Sequence, residues 1–107
     1  MTRQELTDSM QATFDNCLAI LKKKNADYAS EEDAFKNFRM AELVGINYLH
    51  AIILRIADKV ARITNCLDKE VAVSDETVAD TIDDAINYLG ILKAGLLERN
   101  KQNKEKP

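Results

Sequence analysis

Acidic and amide side chains recur along the C-terminal third of the chain in a pattern that could do chemistry. Glu76, Asp80, Asp84 and Asn87 are spaced four, four and three residues apart, which on an α-helix makes one stripe; Asp83 widens it. Like charges one turn apart repel, and Asp and Asn are poor choices for a helix interior when solubility is the only task. A Mg²⁺ ion would turn that repulsion into coordination, because hard cations take carboxylate oxygens. Without the metal the stripe should store repulsion, so that removing one acid stabilises the fold slightly. The alternative is an acidic face that only meets solvent. A second stripe precedes it, formed by Arg55, Asp58 and Arg62 with Lys59 beside them. Arg and Lys clamp triphosphate oxygens, and they equally pair with acids across a helix–helix contact; spacing leaves both roles open. A third group collects Lys24, Asn25, Asp27 and Tyr28, then Phe35, Lys36, Asn37, Phe38 and Arg39. Aromatics and amides flanked by cations can stack on and read a base, although Phe35 and Phe38 also suit a core. His50 has no partner for a nucleophilic triad or a metal site and reads as a helix-start residue. Cys17 and Cys66 lie too far apart for a metal knuckle and read as buried free thiols, which a reducing cytoplasm would keep so.

These groups need elements to position them. Leu6, Met10, Phe14, Cys17 and Leu21 repeat at helical spacing and predict a helix over 4–24. Thr2 would cap its start, and the LKKK run and Asn25 would close it. Residues 25–34 read as a loop and 35–43 as a brief helix, with a break at Gly45. Leu49, Ile53, Ile56, Val60, Ile63 and Leu67 predict a helix over 48–67. Val78, Ile82, Ala85, Leu89, Leu92 and Leu96 predict another over 75–98, capped by Ser74. The expected fold is all-α: an antiparallel bundle of three long helices and one short helix in a single domain, 1–98, followed by a flexible charged tail, 99–107.

Composition excludes several other classes. The 107 residues carry 15 basic and 18 acidic side chains, a net charge of −3. That balance lacks the basic face that duplex nucleic acid requires. With 3 Gly and 1 Pro, a β-sandwich or barrel would be short of turn residues. No apolar run is long enough to span a membrane, and the polar N-terminus does not read as a signal peptide, so a cytoplasmic location is expected. Leu43, Val44, Ile46, Ile52, Ile86, Ile91 and Leu97 fall outside the three seams. Three helices of one chain cannot cover them all, so a homo-oligomer, a dimer or larger, is expected.

The strings KNADYA, DAFKNFR, RIADKVARITNCL and DETVADTIDDAINYLGIL resemble the small phage and prophage proteins of the nucleotide-modification-associated class, within the MazG-like all-α nucleoside triphosphate pyrophosphatase superfamily. The likeness covers about Asn16 to Leu92. It implies an oligomeric helical bundle that holds Mg²⁺ on acids from two successive helices, and attack of water on a nucleoside triphosphate to give the monophosphate and pyrophosphate. By position, the resemblance assigns the metal to Asp58, Glu76, Asp80 and Asp84, with catalysis resting on Asp58, Asp80 and Asp84. It sets Arg55, Lys59 and Arg62 toward phosphates, and Lys24, Asp27, Tyr28 and Asn37 near sugar or base; Lys36 and Asn87 complete the expected substrate-binding set. For a phage-encoded chain the compartment would be the cytoplasm of a bacterial host. The superfamily's first motif is Glu-x-x-Glu, where this chain reads Arg55-Ile56-Ala57-Asp58. Its second is Glu-x-x-Asp, where Thr81 precedes Asp84 and Asp80 lies four residues upstream. A cation in place of a carboxylate weakens metal binding. That departure favours an alternative function, a non-catalytic nucleotide-binding protein of the sponge or anti-defence kind. A plain helical interaction module is the third possibility.

Overall fold

The architecture is all-α. In the computed structural model, the described residues are 1–28, 32–69 and 76–105, with the side chains of 26–28 and 76–77 outside the description. Helix α1 spans Arg3–Tyr28, α2 spans Lys36–Arg39 and continues into a 3₁₀ helix over Met40–Val44, α3 spans Tyr48–Asp68, and α4 spans Glu76–Glu105.

Side-chain caps open α1, at the expected Thr2, and α3, at Asn47. Thr2 Oγ1 accepts from the Glu5 backbone N–H at 3.1 Å, and Asn47, in extended conformation, caps α3 by accepting from the Leu49 N–H at 2.8 Å. Gly45 ends the 3₁₀ helix at φ 80°, the left-handed conformation a glycine takes without strain. The expected cap at Ser74 lies outside the described residues. Two helices outrun their expected ends. Helix α1 passes the LKKK run and includes residues 25–28, which were expected in a loop. No Gly or Pro interrupts that segment, so propagation continues at little cost. Helix α4 runs beyond Glu98 to Glu105, through the expected tail. That stretch is rich in Arg, Lys, Gln and Glu, all good helix formers, and the chain's one Pro is Pro107.

Helices α3 and α4 form the central pair. Tyr48 donates its hydroxyl to the Gly95 carbonyl at 3.3 Å near one end, and Lys59 meets Asp84 near the other, so the two run antiparallel. Between them lies a core of Phe35, Tyr48, Leu49 and Ile52, bordered by Phe38, Ile56, Tyr88, Ile91, Leu92 and Leu96. Arg39 clamps α2 onto this core. Its guanidinium lies 4.3 Å from the Tyr48 ring centroid, bonds Asp33 at 2.9 Å and reaches Glu98 at 3.6 Å. Burial alone would lower the Arg39 pKa; the hydrogen bond and charge of Asp33, together with Tyr48 and Glu98, outweigh it and hold the group above its already high value.

The buried faces keep most of the apolar seams: Leu49, Val78 and Ala85 are buried, and Ile56, Ile63, Ile82, Leu92 and Leu96 are partly buried. Ile52, placed outside the seams, is fully buried, while the seam members Ile53 and Val60 are about half exposed, as is Leu89 on α4. The α3 face that meets α4 passes through half-buried Lys59, and the α4 face passes through Thr81, Tyr88 and Gly95. An apolar count skips Lys59, Thr81 and Gly95, which complete these faces.

Helix α1 joins the pair only through its C-terminal half. Cys17 is buried, its thiol donates to the Asp83 carbonyl at 3.6 Å, and Asn87 Nδ2 donates to the Cys17 carbonyl at 3.0 Å. Every residue of 1–12 is exposed. The accessible surface totals 8213 Å² and the radius of gyration is 16.2 Å, against about 13 Å for a compact chain of this length. No single described helix is long and apolar enough to cross a membrane.

Candidate functional site

The three long helices and the α2 segment enclose an open cavity of about 930 Å³. That is the upper range for small-molecule sites. Its walls are apolar and aromatic. Phe14, Leu18 and Leu21 come from α1, Phe35 and Phe38 from the α2 segment, and Tyr88 and Ile91 from α4. The rings of Phe38 and Tyr88 meet edge-on, 6.1 Å between centroids and 83° between planes, a favoured aromatic arrangement. Lys24, Asn25, Asn37, Arg55, Asp84 and Asn87 supply the polar lining.

Asp84 organises the polar side. Its Oδ1 lies 3.2 Å from Lys24 Nζ and its Oδ2 3.3 Å from Lys59 Nζ, so one carboxylate faces two ammonium groups drawn from α1 and α3. The trio carries a net positive charge, and Arg55 adds another at the cavity wall. Among the described residues neither Arg55 nor Arg62 has an ion-pair partner. Asp83 is engaged elsewhere, accepting from Asn16 Nδ2 at 2.7 Å. The inter-helix network that could have absorbed the cationic stripe therefore uses Lys59 and leaves the arginines aside.

The structure brings part of the expected set together. Lys24, Asn37, Arg55, Asp84 and Asn87 line the cavity, and Lys59 reaches it through Asp84. Asp58, Arg62 and Asp80 are exposed on their helices, and Lys36 is exposed at the start of α2; none of these four lines the cavity. Asp27 and Tyr28 fall in the last turn of α1 and Glu76 opens α4, with their side chains outside the described residues. Asn87 spends one amide N–H on the Cys17 carbonyl, so its oxygen and second N–H are what it can offer a ligand. His50 is exposed in the first turn of α3 and Cys66 is only half-buried.

The described donors do not fit the Mg²⁺ that the family likeness implies. No three His, Cys, Asp or Glu side chains among the described residues stand together as a metal-binding group, and the half-buried Asp84 carboxylate is shared by two lysines. Sequence reasoning had no reason to place Leu18 at a site. Its signal was a position one turn beyond Phe14, where an apolar side chain that leaves the core-facing seam enters a cavity wall. Tyr88 was legible only as part of a string; its use as an aromatic wall depends on Phe38 arriving from a distant segment. Comparison with protein families, with curated proteins and with solved structures finds no match to this chain.

Proposed function

We propose that the chain binds a nucleotide in this cavity, and that binding rather than hydrolysis is its primary activity. The observation that carries it is that Lys24 and Arg55 line one cavity with aromatic walls, with Lys59 joined to that cavity through Asp84. Cations placed beside stacking surfaces match a ligand that is anionic at one end and planar at the other. Lys24, Lys59 and Arg55 take the phosphates, Asn37 and the Asn87 carbonyl oxygen offer base or sugar contacts, and Phe38 and Tyr88 pack against the base. The likeness of the KNADY, FKNF and DTIDDAINYL strings to the MazG-like pyrophosphatases supports the same ligand class. The Arg55 departure and the pairing of Asp84 with two lysines support binding without cleavage.

Thermal shift and calorimetry with nucleoside triphosphates, cyclic dinucleotides and inorganic phosphate test the proposal, since a ligand held only by the folded state raises the melting temperature. A rise with at least one nucleotide, and a smaller one with phosphate, is expected. No response to any nucleotide at millimolar concentration rejects it in favour of a helical interaction module. Pyrophosphate release in the presence of Mg²⁺ would instead establish the hydrolytic activity.

A further inference from the structure

One wall of the cavity stands on the shortest helix of the fold. Helix α2 has four residues, too few to hold its own shape, because a single turn orders more backbone than its hydrogen bonds repay. No side chain caps it, and none of its residues is buried. Yet this segment brings Phe35, Asn37 and Phe38 to the cavity. Asp33 and Arg39 hold it. Asp33 Oδ1 accepts from the Phe35 backbone N–H at 3.0 Å, and its Oδ2 accepts from Arg39 Nε at 2.9 Å, so one carboxylate ties the entry of the segment to its end. The same guanidinium ties the segment to the long helices. It lies 4.3 Å from the ring centroid of Tyr48 on α3 and 3.6 Å from Glu98 Oε2 on α4. That Glu98 oxygen is shielded from solvent and makes no hydrogen bond among the described residues; Arg39 supplies the opposite charge beside it. Tyr48 is itself buried and bonded to the Gly95 carbonyl, so the platform under the guanidinium is fixed.

Sequence order groups Arg39 with the residues that could flank a base. The structure spends its donors on Asp33, on Glu98 and, at 3.9 Å, on Glu42, and Arg39 does not line the cavity. We infer that Arg39 is a positioning residue for the base end of the site. It touches no ligand; it holds Asn37 at the cavity and keeps Phe38 against Tyr88, 6.1 Å between ring centroids. Supporting contacts of this kind decide whether the residues of a site stay in working geometry. The phosphate end is held by other elements. Lys24 stands on α1, and Arg55 and Lys59 stand on α3; none belongs to the α2 segment. Loosening Arg39 therefore costs base contacts and spares phosphate contacts. The clamp stands without a ligand; what it positions rests on the nucleotide-binding proposal.

Amide hydrogen exchange of the full chain, followed by NMR without nucleotide, reads the clamp. The backbone N–H groups of residues 38 and 39 both bond the Phe35 carbonyl, at 2.9 and 3.0 Å. In Arg39→Gln these two should exchange about tenfold faster or more, the mark of local opening, while the amides around Ile52 in α3 keep their rates. Unchanged exchange at the two positions overturns the inference. So does an equal acceleration throughout α3, which would mean a global loss of stability. Affinities for nucleoside triphosphates and for inorganic tripolyphosphate, which has the phosphates and no base, read the site. Arg39→Gln should weaken binding of the nucleoside triphosphates about tenfold, the scale of one lost hydrogen bond, and leave tripolyphosphate unchanged. Equal weakening of both, or of neither, overturns the assignment to the base end. Arg39→Lys keeps the charge but not the flat fork that meets Asp33 and Tyr48 together. It should show both effects at smaller size, and it keeps the test open if Arg39→Gln fails to fold. Arg99→Gln, which removes an exposed cation from α4, should change none of these readings. A wild type that binds no nucleotide counts against the function alone, because the exchange experiment still decides the clamp.

Discussion

Lys24 and Lys59 reach opposite oxygens of the same carboxylate, Asp84, at 3.2 and 3.3 Å. Spacing along α4 suggested stored repulsion between Asp80 and Asp84, relieved when one acid is removed. The geometry reverses that sign at Asp84, because the carboxylate holds two cations. Asp84→Asn should lower stability by about 1 kcal/mol, the scale of a partly exposed ion pair. It should also strengthen nucleotide binding, because both ammonium groups become free for phosphate. A denaturant midpoint and a calorimetric affinity for the same variant check both directions.

Arg55 lines the cavity without an ion-pair partner among the described residues. Arg55→Gln should therefore change stability by less than about 0.5 kcal/mol, as surface substitutions do. Nucleotide affinity should fall by about 1.5–3 kcal/mol, the worth of a charged hydrogen bond. Arg62, which does not line the cavity, is the matched control, and Arg62→Gln should alter neither quantity. A loss of stability with unchanged affinity in the Arg55 variant would return this cation to a structural role.

Gly90 and Gly95 sit in the same helix and should respond oppositely to Ala. A methyl group at Gly90 meets nothing within 4 Å, so Gly90→Ala should gain about 0.5–1 kcal/mol from helix propensity. At Gly95 the new Cβ would lie 2.7 Å from Leu49 Cδ2 and 3.4 Å from Tyr48 Cε2, inside the α3–α4 contact. Overpacking there costs about 1–3 kcal/mol, which cancels or exceeds the propensity gain. Urea midpoints of the two variants should fall on either side of the wild type, or at least differ by about 1 kcal/mol with Gly90→Ala the more stable.

The two thiols should differ in reactivity. Burial, then the charge and hydrogen bonding of Asp83 and the charge of Asp84, push the Cys17 thiol up from its ordinary value. Iodoacetamide at about pH 8 should label Cys66 well before Cys17, because the thiolate is the nucleophile. The same shift has a stability consequence. Below the ordinary thiol value both folded and unfolded states hold the proton, and the Cys17 contribution is fully present. Above about pH 8.5 the unfolded chain loses its proton first, and the contribution declines as pH rises toward the folded value. Thermal melts should show that decline in the wild type and a smaller one in Cys17→Ala.

Helix content and helix starts were legible in the sequence because they are local properties. The period of apolar residues, Thr2 as a cap and Gly45 as a stop all act within a few residues of where they stand. Helix ends were less legible, since nothing in residues 25–28 or 99–105 stops a helix that is already propagating.

Which polar and small residues share the buried faces was decided by tertiary structure. Lys59 can sit on the α3–α4 contact because Asp84 comes to meet it. Gly95 belongs to the core because Tyr48 and Leu49 need its missing side chain for close approach. Neither partner can be read from spacing on one helix, so the sequence by itself determined the period and most of the buried face of each apolar stripe, but not the polar and small residues that complete it. The site divides in the same way. The sequence determined which residues carry charge, amide or ring, and therefore that phosphate and base chemistry was available. Only the packing of α1, α3 and α4 decided that Lys24, Lys59 and Asp84 meet while Asp58 and Arg62 remain exposed, because that choice depends on contacts between segments far apart in the chain.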